Sequence, residues 1–423
     1  MKKKFHKNSW RKFDNTAKIF SLDDKKNTNI FRYSVLLKEN VDANILKEAL
    51  SLSLEDFPDF KVKIGMGFFW NYLEFNFKKP IIEKERQIPC QHFDFKKNNN
   101  YLFKVTYYKN KINIDIFHVL TDGTGANLFF KNLIYHYLGL KYNLPVNKKM
   151  INNTSSSSDK YLKYYDNKYK MMYDFKPAYQ IPGRANKRKN NTYHYIININ
   201  ELKKVCKRLN ITITEYLTAV YMYAIYLSLY NKKSSKEISI TVPINLRKYF
   251  NDETMANFFT YMNVVSDINK KEDITFNELL KHIHREFKEK LTNKKIKEYL
   301  ARDVNLGMNL PIRLVPLFVK KLFIKYMGIL VSRSSTTTLP NVGIMQIDDE
   351  YKPFIDNILV MVMPGRIQKI KCTICSFNDK LNITINSNIN DANFQKTFLG
   401  ILKKDINKLQ IESNIKIKRK RRI

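Results

Sequence analysis

Hydrophobic and polar positions alternate most regularly in the segment that ends at His118. Residues 111–118 read KINIDIFH, with isoleucine at every second position, and residues 101–108 before them are rich in aromatic and β-branched side chains. Because successive side chains of a strand point to opposite faces, this pattern predicts a β-hairpin with one face in the core. His118 is then the last member of the inward-facing row.

A spacing of three to four residues marks the helices. Leucine recurs at every fourth position behind Asp42, which predicts a helix over residues 41–54 with Asp42 as its N-cap. Apolar stripes predict further helices over residues 125–140 and 215–230. Thr275 begins a capping box that is followed by another such stripe.

Strands and helices interleave in both halves of the chain. The sequence therefore predicts an α/β fold class, an α+β mixed-sheet sandwich with two lobes. Between the halves lie a run of asparagine, threonine and serine, a proline-glycine pair and a basic run, which are typical of a connecting segment. We expect an N-terminal lobe over residues 1–151, a linker over 152–190 and a C-terminal lobe over 191–423.

Charge changes this picture, because 75 Lys and Arg residues against 39 Asp and Glu residues give a net charge of +36. One interpretation is a functional basic surface that binds a polyanion, such as an anionic membrane surface, nucleic acid or a phosphorylated cofactor. The other is a diffuse, solvated excess of lysine. The basic run Lys416–Arg422 has two similar interpretations: a frayed, solvated tail, or a contact with a membrane surface or nucleic acid. No nucleic-acid-binding motif accompanies these charges, which disfavours nucleic acid.

Two apolar stretches approach the length of a membrane span but contain polar residues. Residues 211–230 include Glu215, and residues 310–331 include four basic residues, so we interpret both as buried or amphipathic helices. For the second, packing against a sheet is favoured over a lipid interface. Four cysteines are too few for a disulfide framework, and the basic N-terminus lacks an apolar signal segment. We expect a cytoplasmic protein, with peripheral membrane contact as an open alternative.

Candidate chemistry lies in His118-Val-Leu-Thr-Asp122-Gly123. A histidine at the end of a buried strand is held rigidly, and its reference pKa of ~6.5 suits a general base near neutral pH. A carboxylate four residues later can fix the turn by pairing with an arginine, and the glycine leaves room for a substrate. The motif alone leaves open a core histidine in a tight Asp-Gly turn.

Other cysteine and histidine pairs do not predict a metal site. Cys372 and Cys375 are three positions apart on a predicted strand, so their thiols face opposite sides. His282 and His284 are two positions apart on the helix after Thr275, where side chains diverge. We expect all four to be ordinary structural residues and no metal to be bound.

Several motifs, in order along the chain, resemble bacterial alcohol-acetyltransferase-like proteins. That family is a branch of the CoA-dependent acyltransferase superfamily, which also holds the condensation domains and plant acyltransferases. The segments that carry the resemblance are Asn29–Arg32, Asp56–Phe60, Gly67–Trp70, Phe117–Ala126, Val242–Phe250, Ala256–Phe259 and Leu339–Gly343. Phe117 stands where condensation domains usually have a second histidine, which disfavours peptide condensation. The Asp-Phe-Gly-Trp-Gly motif of the plant branch is missing from the sequence.

The resemblance implies two chloramphenicol-acetyltransferase-like lobes with a central channel, which the thioester donor and the acceptor enter from opposite faces. It implies that His118 is catalytic and that Asp122 shapes the motif through an ion pair, with Arg247 as the expected partner. Gly123 matches the glycine beside the channel. As donors to the substrate or the oxyanion, Asn263 and Thr337 are the candidates. Residues 339–343 resemble the strand that crosses between the halves.

Together these observations predict an acyltransferase that moves an acyl group, with acetyl among the candidates, to an alcohol. The donor is acyl-CoA or the phosphopantetheine thioester of an acyl carrier protein, used as a co-substrate, and no tightly bound cofactor is expected. The acceptor is an alcohol, lipid-like alcohols included, and an amine is less favoured. The alternative is a catalytically inactive, condensation-like protein whose basic face binds a carrier protein or an anionic surface.

Overall fold

The computed structural model describes most of the 423 residues of the chain. The described ranges are 10–21, 28–86, 88–146, 157–185, 190–267, 273–308, 315–389 and 392–414. The basic run Lys416–Arg422 lies outside them. Within these ranges the strands are β1 Trp10–Lys12, β2 Ile30–Leu37, β3 Val62–Gly65, β4 Tyr72–Phe75, β5 Ile82–Lys84, β6 Phe103–Tyr108, β7 Lys111–Phe117, β8 Asn191–Asn198, β9 Ser239–Asn245, β10 Phe259–Val265, β11 Thr337–Thr338, β12 Asn341–Ile344, β13 Ile355–Val362, β14 Ile370–Phe377, β15 Lys380–Ser387 and β16 Leu409–Ser413. The helices are α1 Asn15–Phe20, α2 Ala43–Asp56, α3 Gly123–Tyr142, α4 Tyr161–Tyr164, α5 Ile199–Leu209, α6 Ile213–Ser228, α7 Arg247–Phe250, α8 Phe276–Lys290, α9 Asn293–Met308, α10 Leu317–Arg333 and α11 Ala392–Leu402.

The first half of the chain is built on a five-stranded sheet in the order β13-β2-β7-β6-β5. Its neighbours run antiparallel except β5 and β6, which are parallel. The isoleucine row of β7 is fully buried in one core with apolar residues of α2 and α3. The hairpin prediction is therefore confirmed, and it brings the chain to His118 directly after β7 ends.

The second half is built on another five-stranded sheet, in the order β12-β14-β15-β8-β16, and contributes a second core. Apolar residues of α5, α6, α8 and α11 belong to this second core. Two three-stranded sheets, β1-β4-β3 and β10-β9-β11, complete the fold. The structure confirms the predicted α/β class with mixed sheets. The capping box at Thr275 is present, with Glu278 as its partner.

One strand of the second half crosses to the sheet of the first half. β13 runs antiparallel to β2, and six of its eight residues are buried, because the two sheets pack against each other here. Residues 339–343, which resemble the crossing strand of the family, instead lead into β12, and β12 is the exposed edge of the second sheet and runs parallel to β14. The alternation of β14 is visible in its cysteines, since Cys372 lies in the second core and Cys375 in the first.

Two local features and one wrong prediction complete the description. Helix α5 has the side chain of Asn198 as its N-cap. The short strands β3 and β4 are joined by a loop that exposes Phe68. Helix α10 was expected to pack against a sheet, yet Lys320 is its one buried side chain. The pattern of apolar residues predicted a helix there, but nothing in the pattern specified what it would face.

The stretch between the halves lies against both of them. Tyr161 and Tyr179 are buried, and the Tyr161 hydroxyl donates to the Phe259 carbonyl of the second half and accepts from Thr16 of the first. The domain boundaries at 151 and 190 remain a proposal. None of the described helices is long and apolar enough to cross a membrane. Among the described residues, no group of three His, Cys, Asp or Glu side chains is arranged to hold a metal ion.

A pair of buried asparagines links the two sheets. Asn357 on β13 and Asn382 on β15 exchange side-chain hydrogen bonds of 2.9 Å in both directions. We predict that Asn382→Ala lowers the free energy of unfolding by about 1–3 kcal/mol, because it leaves the buried Asn357 amide unpaired. Urea denaturation measures this. The exposed Asn407→Ala is the control, and an equal, negligible loss in both variants would contradict the role of the pair.

Candidate active site

His118 is held at the end of β7 among aromatic rings. Its backbone N–H donates to the carbonyl of Asn29 at 2.8 Å, which continues the pairing of β7 with β2. The imidazole is partly buried and stacks on Phe20 of α1, with 4.3 Å between ring centroids. Phe31 lies 4.9 Å away edge to face, and Phe259 of β10 lies 5.4 Å away. The histidine thus contacts both halves of the chain in an apolar setting.

One hydrogen bond determines which nitrogen of His118 carries the proton. The ring Nδ1 lies 3.0 Å from Oδ1 of Asn257. The Asn257 Nδ2 donates to the His118 carbonyl at 3.1 Å and to Asp14 Oδ2 at 2.9 Å, so the amide oxygen must be the atom that faces the ring. An amide oxygen only accepts, and we therefore assign the hydrogen to Nδ1. The other nitrogen, Nε2, keeps its lone pair.

Asp14 connects this asparagine to the helix that covers the imidazole. Its Oδ1 caps α1 by accepting from the Ala17 N–H at 2.7 Å, and its Oδ2 accepts from both the backbone and the side chain of Asn257. Burial raises the pKa of Asp14 to about 7, although the hydrogen bonds from Asn257 and Ala17 oppose the rise. One carboxyl group therefore positions both Phe20, through α1, and Asn257.

Asp122 and Arg247 form a buried ion pair between the two halves. Nη1 of Arg247 lies 2.7 Å from Oδ2 of Asp122, and Nη2 lies 3.1 Å from Oδ1, a bidentate arrangement. Asp122 also caps α3 by accepting from the N–H groups of Thr124 and Gly125. Burial by itself would raise the pKa of Asp122, but the charge and hydrogen bonds of Arg247 and the backbone N–H groups outweigh it and lower the pKa. The partner implied by the resemblance is thus the partner in the structure.

Arg247 also gathers the segment that carries Asn257. Its guanidinium donates to the carbonyls of Thr254 at 2.8 and 3.1 Å and of Ala256 at 2.8 Å. The N–H of Phe258 donates in turn to Oδ2 of Asp122 at 2.9 Å. The ion pair therefore holds residues 254–258 against the turn after His118. In this position the side chain of Asn257 reaches the imidazole.

The two glycines of the motif have different surroundings. A Cβ at Gly125 would lie 2.7 Å from the Met255 carbonyl oxygen and closer still to the Thr121 hydroxyl, so α3 can approach residues 254–258 only with glycine there. At Gly123, predicted to lie beside the channel, a Cβ would meet the Tyr33 hydroxyl at 3.4 Å. That hydroxyl donates to the Gly123 carbonyl at 2.8 Å. Gly125 is therefore the position that packing reserves for glycine.

The surroundings keep the imidazole neutral. Burial lowers the pKa of His118, and the negative charge of Asp122 and the hydrogen bond to Asn257 only partly oppose this. The ammonium group of Lys371 on β14 lowers the pKa further. Burial also lowers the pKa of Lys371 itself, to about 8. A neutral imidazole with a free Nε2 lone pair can accept a proton at neutral pH.

The two candidate oxyanion donors differ in their availability. Both lie in the sheet β10-β9-β11. Thr337 is fully buried, and its hydroxyl donates to the Ile370 carbonyl at 2.5 Å, so its proton is already used within the core. Asn263 is half-buried on the same face of β10 as Phe259, and its Oδ1 accepts from Thr241 at 2.8 Å. No described residue accepts a hydrogen bond from the side-chain amide of Asn263, so that amide is the better candidate donor to a ligand.

Three residues around His118 were not predicted as site residues. Asn257 lies within a motif that carried the resemblance, but no role followed from the motif alone. Asp14 precedes Asn-Thr-Ala in a pattern that is readable as a helix cap, and nothing local indicates that its second oxygen reaches a residue 243 positions away. Phe20 shows no distinguishing signal among 28 phenylalanines.

A family model described as alcohol acetyltransferase matches residues 147–406. Among curated proteins, no sequence matches the chain. Among solved structures, the trichothecene 15-O-acetyltransferase of Fusarium sporotrichioides is similar, with a TM-score of 0.61, 14% identity and 94% of each chain covered.

Two further solved structures have the same fold. F. graminearum TRI101, solved with coenzyme A and T-2 mycotoxin, has a TM-score of 0.63 at 9% identity, covering 95% of this chain and 99% of its own. The starter condensation domain of rhizomide synthetase RzmA, solved as a point mutant in complex with C8-CoA, has a TM-score of 0.59 at 11% identity, covering 94% of this chain and 95% of its own. At such identities the likeness establishes the two-lobed acyltransferase and condensation fold and no more.

Because the Asp122–Arg247 pair is buried, removing one charge leaves the other without a partner. We predict that Asp122→Asn lowers the free energy of unfolding by about 3–5 kcal/mol. Urea denaturation followed by circular dichroism checks this. The control is Asp349→Asn, which removes an exposed ion pair with Lys352 and should leave the unfolding midpoint near that of the wild type. Equal midpoints in the two variants would contradict a structural role for Asp122.

Proposed function

The chain belongs to the alcohol acetyltransferase family and is an acyltransferase, and from this premise we propose that it transfers an acyl group from a thioester to an alcohol, with His118 as general base. The observation that carries the proposal is the hydrogen bond from His118 Nδ1 to Asn257 Oδ1. It leaves Nε2 as the proton acceptor in a rigid, neutral imidazole. A base of that kind is what attack by a hydroxyl group on a thioester requires.

The proposed reaction passes through one tetrahedral intermediate. His118 Nε2 accepts the hydroxyl proton while the alcohol oxygen bonds to the thioester carbonyl carbon. The intermediate then collapses, the carbon–sulfur bond breaks, and the imidazolium returns the proton to the leaving thiolate. The products are an ester and a free thiol, and the enzyme is restored. We propose that Asn263 Nδ2 donates to the developing oxyanion, a contribution typically worth ~3–4 kcal/mol.

Asp122, Gly123 and Arg247 are proposed to act through position. The described contacts of Asp122 are to Arg247 and backbone N–H groups, and His118 Nδ1 instead bonds to Asn257. The ion pair therefore supports the base without taking part in proton transfer. Asn257 is likewise proposed as a positioning residue, and Asp14 supports it.

For the donor we propose acyl-CoA, with an acyl carrier thioester as the second candidate. The acyl-CoA proposal is supported by the coenzyme A in the TRI101 structures and the C8-CoA in the rhizomide condensation domain. A chain with a net charge of +36 also suits a phosphorylated donor. For the acceptor we propose an alcohol, including lipid-like alcohols, with acetyl as one candidate acyl group. A cytoplasmic location with peripheral membrane contact is part of the same proposal. Membership of an enzyme family does not favour the inactive alternative.

Replacement of the base tests the proposal directly. We predict that His118→Ala lowers the rate of thiol release from acyl-CoA in the presence of an acceptor alcohol by at least ~10²-fold, because the proton then has no acceptor. A thiol-reactive dye measures the release. His136→Gln is the matched control. His136 lies on α3, and its Nε2 is 2.6 Å from Oδ2 of Asp56 rather than near the motif. Equal rates for His118→Ala and the wild type would exclude His118 as the base.

The pH profile tests the role of Asn257. Because only the neutral imidazole is active and its pKa is lowered, the acidic limb of kcat/KM should lie below pH ~6.5. In the double variant Asp14→Asn, Asn257→Asp, the carboxylate faces Nδ1 while α1 keeps a good cap. An adjacent negative charge raises a histidine pKa, so the limb should move to higher pH by about one unit or more.

The single variant Asn257→Ala separates position from charge. It should lower kcat/KM across the whole pH range without moving the limb upward, because it frees the imidazole without adding charge. Thermal melting of all variants, followed by circular dichroism, shows whether each is folded. If the double variant is folded and active and its acidic limb stays at the wild-type pH, Asn257 does not control the imidazole.

A further inference from the structure

Helix α10 and the loop between β3 and β4 pack against each other at the surface. The Leu317 N–H donates to the Phe68 carbonyl at 2.9 Å, where the helix begins. Lys320 is the buried residue of the helix, with its ammonium 4.1 Å from the centre of the Trp70 ring and 3.1 Å from the Phe69 carbonyl oxygen. Lys320 thus attaches the helix to the loop, while five large apolar side chains of the helix are exposed and its other apolar side chains are half-buried.

These exposed side chains, together with those of the loop, form a group that we call the apolar surface. Phe318 is 70% exposed, Leu322 72% and Met66 89%. The apolar surface consists of large, exposed side chains: Met66, Phe68 and Phe69 of the loop and Phe318, Val319, Leu322, Phe323 and Tyr326 of α10. The five helical members are spaced by one, three or four positions, so they share one face of the helix. In water a surface helix normally turns its apolar face inward, and an apolar face that is exposed instead is a candidate binding surface.

The charged side chains of α10 are all basic. Lys321 and Lys325 are exposed and lie three and seven positions after Phe318, along one edge of the apolar face. Lys18 of α1 lies 5.4 Å from the centre of the Trp70 ring. Neither α10 nor the loop 66–71 contains Asp or Glu. Lysine stems can lie along an apolar interface while their ammonium groups reach anionic headgroups.

We propose that the apolar surface binds the enzyme to an anionic phospholipid bilayer, with α10 lying in the plane of the interface. Aromatic and leucine side chains would enter the headgroup and acyl boundary, and Lys321 and Lys325 would contact phosphate groups. The charge pattern favours this occupant over a second copy of the chain. A symmetric dimer through the surface would bring the lysines of two copies together with no carboxylate from α10 or the loop between them.

Vesicle co-sedimentation tests the proposal. The full chain is mixed with vesicles of phosphatidylcholine alone, or with roughly 30% phosphatidylglycerol added as the anionic lipid. Wild type should sediment with the anionic vesicles and far less with the neutral ones. Phe318→Asn with Leu322→Asn should weaken binding at least about tenfold, because two large apolar side chains no longer enter the interface. The control is Leu162→Asn with Met172→Asn, two exposed apolar residues elsewhere, and it should bind as the wild type does.

A charge-reversal pair tests the electrostatic part. Lys321→Glu with Lys325→Glu should remove the preference for anionic vesicles. Lys203→Glu with Lys207→Glu, exposed on α5 with the same spacing, changes the net charge equally and should retain the preference. His118→Ala should bind vesicles as tightly as the wild type, so a failure of catalysis leaves this result intact. Melting curves establish that each variant is folded.

Three outcomes would overturn the proposal. One is wild-type binding that is equally weak for both kinds of vesicle. Another is binding that the two α10 variants and their controls lose to the same extent, which would indicate non-specific attraction by the net charge. The third is sedimentation velocity showing self-association that Phe318→Asn with Leu322→Asn abolishes, with no vesicle binding by the wild type.

Discussion

The buried ion pair between Asp122 and Arg247 is the interaction on which the rest of the site depends. It joins two residues 125 positions apart and satisfies both charges in a setting where either alone would be costly. The same carboxylate caps α3, and the same guanidinium holds the carbonyls of residues 254–256. Most of the remaining hydrogen bonds of the pair are made to backbone groups. The chain after His118 and the segment before β10 are fixed relative to each other as a consequence.

The position that the ion pair gives to residues 254–258 also satisfies the buried N–H of the proposed base. Contact with three phenylalanine rings keeps the imidazole of His118 neutral and rigid, but burial would also leave its N–H without a partner. Asn257 supplies the partner, and Asp14 holds Asn257 in the only amide orientation that accepts from Nδ1. The hydrogen-bond chain ends at a carboxyl group whose pKa burial raises to about 7, so this group is only partly ionised near neutral pH. A neutral imidazole with Nε2 free is the result.

At the apolar surface, large apolar side chains are exposed and a charged side chain is buried, which is the reverse of the usual arrangement in a surface helix. Elsewhere the amphipathic helices bury their apolar stripes, as α8 does with Leu279, Ile283 and Phe287. In α10 the apolar side is outward and a lysine is the anchor. The loop at Phe68 and Trp70 holds the start of this helix, and Ala178 and Gln180 donate to the Arg333 carbonyl at its end. Exposure of this kind costs free energy in solution, and a lipid interface would recover it. Most apolar residues of the chain thus lie in the two cores, whereas those of the apolar surface are exposed to solvent.

The amino-acid sequence by itself determined whatever depends on neighbours along the chain. The isoleucine row before His118, the caps at Asp42 and Thr275 and the turn from Asp122 into α3 are local, because strand alternation, helix periodicity and capping act over a few residues. Tertiary structure decided the rest: that β13 rather than residues 341–343 crosses between the sheets, that Asn257 and Asp14 orient the imidazole, and that α10 faces outward. These outcomes rest on contacts between residues hundreds of positions apart. A periodic pattern shows that a helix has an apolar face, but what that face meets depends on how the whole chain packs.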